Sequence, residues 1–147
     1  MGNSIKKLFV HCSATKPSMD IDANTIRDWH VNDNGWSDIG YHEVILRNGA
    51  VELGRDLDGD GSSEDETGAH AYGHNKGSYS ICMVGGIDEN GNADANFTAA
   101  QYRALSERLK TMMHKHNIDV EMVFGHRDVD SGKACPSFDV SGFIRYL

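Results

Sequence analysis

The chain has 147 residues, 39% of them apolar and 24% charged, and a formal net charge of −8. This length predicts one domain, residues 1–147, large enough to bury a core, and the composition excludes a disordered chain. With 14 Lys and Arg against 22 Asp and Glu, no basic stripe is present to meet phosphates, so neither a nucleic-acid partner nor an anionic membrane surface is expected.

The N-terminal Met1-Gly2-Asn3-Ser4-Ile5-Lys6-Lys7 lacks the apolar run of a signal peptide, and Lys6 stands where a myristoylation signal needs Ser or Thr. No segment reaches transmembrane length. The expectation is cytoplasmic synthesis of a monomer without an export signal. Cys12, Cys82 and Cys135 are an odd count, which suits free thiols, one of them a metal ligand, better than a disulfide framework.

Ile5 to Cys12 reads as a strand with Leu8, Val10 and Cys12 on one face and Phe9, His11 and Ser13 on the other. Cys12 therefore points away from His11 and reads as a buried thiol. Asp22 to Asn34 has helical spacing, with Asp22 or Asn24 as cap, Ile26 and Trp29 (with His30) on one face, and Gly35 as stop. Tyr41 to Arg47 and Ala50 to Gly54 read as strands joined at Asn48-Gly49, a two-residue hairpin signal.

The segment from Asp56 to Glu66 carries acids at alternate positions and then Gly, like the first half of a calcium loop. Ser63 and Thr67 stand where the second half needs an apolar residue and a bidentate Glu, so a solvated acidic loop is the better reading. Gly68 to Gly77 is a glycine-punctuated loop, and Ser80 to Val84 is a continuous apolar run of the kind found in a central strand. Thr98 and Gln101 form a capping-box pattern ahead of a stripe of Tyr102, Leu105, Leu109, Met112 and Met113, with His114 and His116 near the helix end favouring its dipole and solvent. Val120 to Phe124 reads as a short strand and the residues after Asp139 as a short helix. Strands separated by helices predict an α/β fold, a single layer of mixed central β-sheet flanked by helices.

Chemistry concentrates between Phe124 and Asp139, where His126, Lys133 and Cys135 fall within ten positions of a glycine-containing loop. Zinc takes neutral imidazole and thiolate together. The best third ligand is His11 near the end of the first strand; three protein ligands with a fourth place open is the catalytic arrangement, not the structural one. His11, Tyr41 and His126 all lie at strand ends, where sites in such sheets collect. Taken singly, Tyr41 also reads as a core aromatic and Lys133 as a solvated loop lysine. His42 alternates to the face opposite Tyr41 and reads as packing.

The blocks His11-Cys12-Ser13-Ala14-Thr15, Gly40-Tyr41-His42, Gly68-Ala69-His70, Val84-Gly85-Gly86-Ile87-Asp88 and Lys133-Ala134-Cys135-Pro136-Ser137-Phe138-Asp139 resemble the zinc-dependent N-acetylmuramoyl-L-alanine amidases, in particular the bacteriophage amidase-type lysozymes. The animal peptidoglycan recognition proteins share that wider fold family. The resemblance implies a cell-wall hydrolase of endolysin type, with phage, prophage and bacterial housekeeping origins all open, that cuts the amide between N-acetylmuramic acid and L-alanine of peptidoglycan. It implies one Zn²⁺ on His11, His126 and Cys135, catalytic roles for Tyr41 and Lys133, and His70 bordering the substrate groove. Access to the wall would come through lysis or a holin-like route. The Asp56–Glu66 segment is longer and more charged than the matching turn of the phage enzymes, so a different groove rim is expected. RNA polymerase inhibition, known for a phage relative, depends on surface residues outside these blocks and is not carried over. The competing reading is a recognition module that holds muropeptide without cutting it; such relatives typically lack the cysteine ligand.

Overall fold

The computed structural model describes residues 5–145, so Met1 to Ser4, and with them most of the N-terminal stretch examined for a leader, lie outside the described residues. Five strands form one sheet in the order β3-β2-β4-β1-β5: β1 (Lys7–Cys12), β2 (Glu43–Ile45), β3 (Val51–Leu53), β4 (Ser78–Met83) and β5 (Val123–Gly125). Among the described strand pairs of this sheet only β2–β3 is antiparallel; β1 pairs in parallel with both β4 and β5. Helices α1 (Ala23–Asp28), α2 (Ala99–His116) and α3 (Val140–Ile144) complete the α/β architecture. No helix among the described residues is long and apolar enough to cross a membrane.

Alternation along β1 divides the molecule into a packing side and a chemical side. Leu8, Val10 and Cys12 join Tyr79, Ile81 and Met83 of β4 in a core closed by Leu105, Leu109 and Met112 of α2. On the opposite face Ile26 of α1 packs with Ile39, Val44 and Cys82, beside Phe9 and His11. All six residues of β4 are buried, as a central strand requires.

The capping box forms as read: the Gln101 N–H donates to Thr98 Oγ1 at 3.1 Å, and the Thr98 N–H to Gln101 Oε1 at 2.9 Å. Gln101 Nε2 also donates to the carbonyls of Val84 and Ile45 at 2.8 and 3.2 Å. One buried amide thus fastens the helix start to two strand ends. Arg108 of α2 grips Glu43 of β2 with two bonds of 2.9 Å, and the Tyr79 hydroxyl donates to the same carboxylate at 2.6 Å.

Several elements differ from their sequence reading. Strand structure begins at Glu43, so Tyr41 stands ahead of β2. The hairpin turns through three residues, since Leu46 N–H donates to Ala50 O and Gly49, at φ +89°, takes the left-handed place. Val120–Met122 is a 3₁₀ turn, which leaves β5 only three residues long. The helix predicted to Asn34 widens after Asp28 into a π-turn over Trp29–Asp33. His116 is turned from solvent to Glu64 Oε1 at 2.8 Å, and with Lys115 ties the acidic loop to the end of α2.

Within that loop Asp56 accepts from the Asp60 and Gly61 amides and Asp60 from Ser62. Hydrogen bonding to Asp60, then burial and Asp58, push the Asp65 carboxyl up to about 6. Two carboxylate groups there, Asp56 with Asp58 and Asp60, and Asp58 with Asp65 and Glu66, have oxygens within 4.8 Å of one another. His42 joins the loop's far end to the sheet. Its Nδ1 accepts from the Ser80 N–H at 2.9 Å, so the Nε2–H donates to the Glu66 carbonyl at 2.8 Å.

Two predictions come from these buried polar groups. Gln101→Leu keeps the volume but leaves the Val84 carbonyl only the long 3.5 Å contact from Arg47 Nη1 and removes the acceptor of the Thr98 N–H, and should cost about 1–3 kcal/mol in urea unfolding; an unshifted midpoint would show that both groups find other partners. Burial holds the His42 imidazole down at about 4 against an ordinary 6.5. The unfolded chain therefore takes up that proton first, and stability is lost as pH falls from about 6.5 towards about 4, by at most ~3 kcal/mol for this residue. Thermal melts should show wild type losing more over that window than His42→Asn, and equal losses would remove His42 from the account.

Candidate metal centre and active site

Three distant segments deliver three donors. His11 is the penultimate residue of β1, His126 directly follows β5, and Cys135 sits in the loop leading to α3. The parallel register Val10↔Gly125 sets His11 and His126 side by side, with ring centroids 4.7 Å apart. The Cys135 loop is pinned by Arg127 N–H to Cys135 O at 2.8 Å, Lys133 N–H to Asp130 O at 3.0 Å, and Ser137 Oγ to Gly86 O at 2.8 Å. A Cβ at Gly125 would meet Pro136 Cδ at 2.9 Å, so only glycine lets this loop lie against β5.

One ring nitrogen of each histidine and Cys135 Sγ all lie within 4.8 Å of one another, and Cys135 Sγ is 3.7 Å from His11 Nδ1. Two imidazoles and a thiol are the donor set that suits zinc. All three cysteines are free thiols. The Cys12 side chain belongs to the α2 core, but its backbone N–H donates to Cys135 Sγ at 3.0 Å. Cys12 thus supports the centre through its main chain.

Charge states follow from burial. His11 is inaccessible to solvent, and burial, then His70, His126 and His42, hold its imidazole well below 6.5. Burial also lowers His126, with Lys133 and His74 adding to it and Asp130 opposing. Both rings are accordingly neutral at pH 7, the state that binds a cation. The Cys12 thiol beside it, then burial, push the Cys135 thiol up; a bound cation would have to displace that proton.

Tyr41 comes close because Gly40 lets two backbones touch: a Cβ there would lie 2.1 Å from Ala69 O, and Ala69 N–H donates to Gly40 O at 3.0 Å. The Tyr41 ring stands 5.1 Å from His11, with its phenol pushed well up by burial and then by the thiols of Cys82, Cys135 and Cys12. It therefore remains a protonated O–H. Lys133 is exposed and lines a cavity of about 360 Å³ with Trp36, His70, Tyr72, Asn75, His126 and Asp130.

Of the six residues singled out in the sequence, His70, His126 and Lys133 line this cavity, while His11 lies behind them against His70 and His126, with Cys135 and Tyr41 beside His11. His70 is 8% exposed and is bonded through both nitrogens, to His11 at 2.8 Å and to Ser78 Oγ at 2.8 Å. The sequence reading missed Trp36, Tyr72, Asn75 and Asp130. Trp36 and the fully exposed Tyr72 were the findable ones, as large aromatics placed in loops. Ser78 and the Cys12 amide carried no signal.

Comparison with known proteins agrees with the geometry. A solved N-acetylmuramoyl-L-alanine amidase, LysC from Clostridium intestinale, superposes with a TM-score of 0.79 at 25% identity, over 99% of this chain and 86% of that one. Drosophila PGRP-LB has the same fold, with a TM-score of 0.71 at 22% identity over 99% of this chain and 80% of its own. The endolysin of Enterobacteria phage T3 is 48% identical over 133 residues, 90% of this chain and 81% of the relative. Residues 1–138 match the family described as N-acetylmuramoyl-L-alanine amidase, and the chain belongs to that family.

Proposed function

We propose that this amidase is an endolysin that hydrolyses the amide between the lactyl group of N-acetylmuramic acid and L-alanine of the peptidoglycan stem, using one zinc ion on His11, His126 and Cys135. The observation that carries the reading is the meeting of these donors, from three separate segments, within 4.8 Å beside an open cavity. A zinc ion with three protein ligands and an open fourth place supplies Lewis acidity and lowers the pKa of water from ~15.7 towards ~7.

The chain's own groups divide the remaining work. Cys135 as thiolate and two neutral imidazoles leave a net charge of +1 on the loaded centre. Tyr41, held protonated, donates a hydrogen bond that orients the attacking water. The Lys133 ammonium faces the developing oxyanion, where one well-aimed donor is worth ~3–4 kcal/mol. Trp36 and Tyr72 offer apolar walls to the glycan or stem peptide. A monomer suffices, since every group named here belongs to one chain. The similarity to phage endolysins supports action at the cell wall, reached after lysis or through a holin-like opening. A muropeptide-holding module without hydrolysis is the weaker reading, because Cys135, Tyr41 and Lys133 are present together.

Mass spectrometry of digested peptidoglycan should show new L-alanine N-termini and intact glycan strands, and a chelator should stop their appearance. Cys135→Ser should abolish hydrolysis while leaving the fold, and wild-type turnover in that variant would end the assignment. Lys133→Ala should lower kcat by ~10²–10³-fold with bound zinc unchanged. A parallel loss of metal would make its role structural.

A further inference from the structure

We propose that His70 is a positioning residue for the metal centre: it fixes the tautomer of His11, so that the Nδ1 lone pair faces Cys135 and the bound cation. This inference rests on the zinc reading above, and it assigns His70 a task distinct from bordering the groove.

The side chains form one line. His11 Nε2 lies 2.8 Å from His70 Nδ1, His70 Nε2 lies 2.8 Å from Ser78 Oγ, and the Ser78 hydroxyl reaches the Asn75 carbonyl at 2.8 Å. A neutral imidazole has one N–H and one lone pair, and a hydroxyl has one proton to give. Protons along this line must therefore all run in one sense. If Ser78 donates to Asn75 O, its oxygen accepts the His70 Nε2–H, and His70 Nδ1 accepts the His11 Nε2–H. His11 Nδ1 then carries a lone pair. In the reverse sense Ser78 donates to His70 Nε2, His70 Nδ1–H donates to His11 Nε2, and His11 Nδ1 holds a proton where the cation must bind. Only the first sense uses the Asn75 carbonyl as acceptor for the hydroxyl, and only the first leaves the nitrogen nearest Cys135 Sγ, 3.7 Å away, open to a metal.

Burial makes the line decisive. His11 is wholly buried and Ser78 3% exposed, so solvent cannot stand in for a missing partner. The loop is built to hold the ring: Asn75 Oδ1 accepts from the amides of His70 and Ala71 at 2.8 and 3.0 Å, and Phe9 packs on His70 with centroids 5.3 Å apart. Metal-bound histidines commonly give their second N–H to a carboxylate or a carbonyl. An imidazole and a hydroxyl do the same task here without adding negative charge, so the loaded centre keeps its net +1.

The test is zinc affinity by chelator competition, with ¹⁵N NMR of the imidazoles in the zinc-free protein, where no metal dictates the His11 tautomer. His70→Leu should weaken zinc binding by ~10–100-fold. His70→Gln, whose side-chain oxygen can accept the His11 Nε2–H, should recover most of that loss. Equal affinity in wild type and His70→Leu overturns the proposal, as does a Gln variant no better than Leu, which would reduce His70 to filling space. Should His70→Leu fail to fold, Ser78→Ala removes only the hydroxyl; a smaller loss of affinity with a mixed His11 tautomer signal supports the proposal, and an unchanged affinity and spectrum overturn it. A wild-type protein that binds no zinc removes the metal reading itself, whereas zinc-loaded wild type with an unaffected His70→Leu removes only this inference.

Discussion

Parallel pairing of β1 with β5 is the constraint on which the rest of the site depends. The pair is short, since β5 has three residues, yet its register decides everything at its end. With Val10 opposite Gly125, the next residue on each strand is a histidine, and both rings leave the sheet on the same side. A slip of one residue would send the His126 ring to the α2 side, because side chains alternate with a period of two. The register is secured by burial on the α2 face. Leu8 and Val10 are sealed against α2 and Val123 is 3% exposed, so any slip would expose apolar surface at roughly 25 cal/mol per Å².

The third donor depends on the same pair by a different route. Cys135 is held largely by main-chain groups: Cys12 N–H reaches its sulfur, Arg127 N–H its carbonyl. Both contacts come from residues immediately beside the two histidines. Gly125 adds the space, since any side chain there would collide with Pro136. The loop therefore reads its position from the strand ends directly, and the donor distances follow from backbone geometry more than from side-chain choice.

How much of this was legible in the sequence depended on the range of the interaction. Period-two alternation in β1 assigned Leu8, Val10 and Cys12 to the core and His11 to the other face, because alternation is a property of the strand itself. The Thr98–Gln101 box was readable for the same reason, spanning three residues. Tyr41 was placed as the first residue of a strand although Gly40 must press against Ala69, a contact between residues 29 apart in the chain that no local pattern marks. The Val120–Met122 turn carries an apolar, β-branched start that propensity reads as strand, and tertiary context overrides it. His116 was given to solvent because its partner, Glu64, lies 52 residues away.

The line from His11 to Asn75 shows why the second layer of such a site resists sequence reading. His70 and His11 are 59 residues apart, and neither periodicity nor spacing connects them; resemblance could mark His70 as worth attention but not say which way it faces. What makes the contact chemically consequential is the polarity of a chain of hydrogen bonds, and that polarity is set at its far end by a single carbonyl. A donor set can be guessed from residue types, since zinc prefers nitrogen and sulfur wherever they come from. The protonation that makes a donor usable is a property of its neighbours' neighbours, and it exists only once β1, β4 and the loop between Gly68 and Gly77 have packed together.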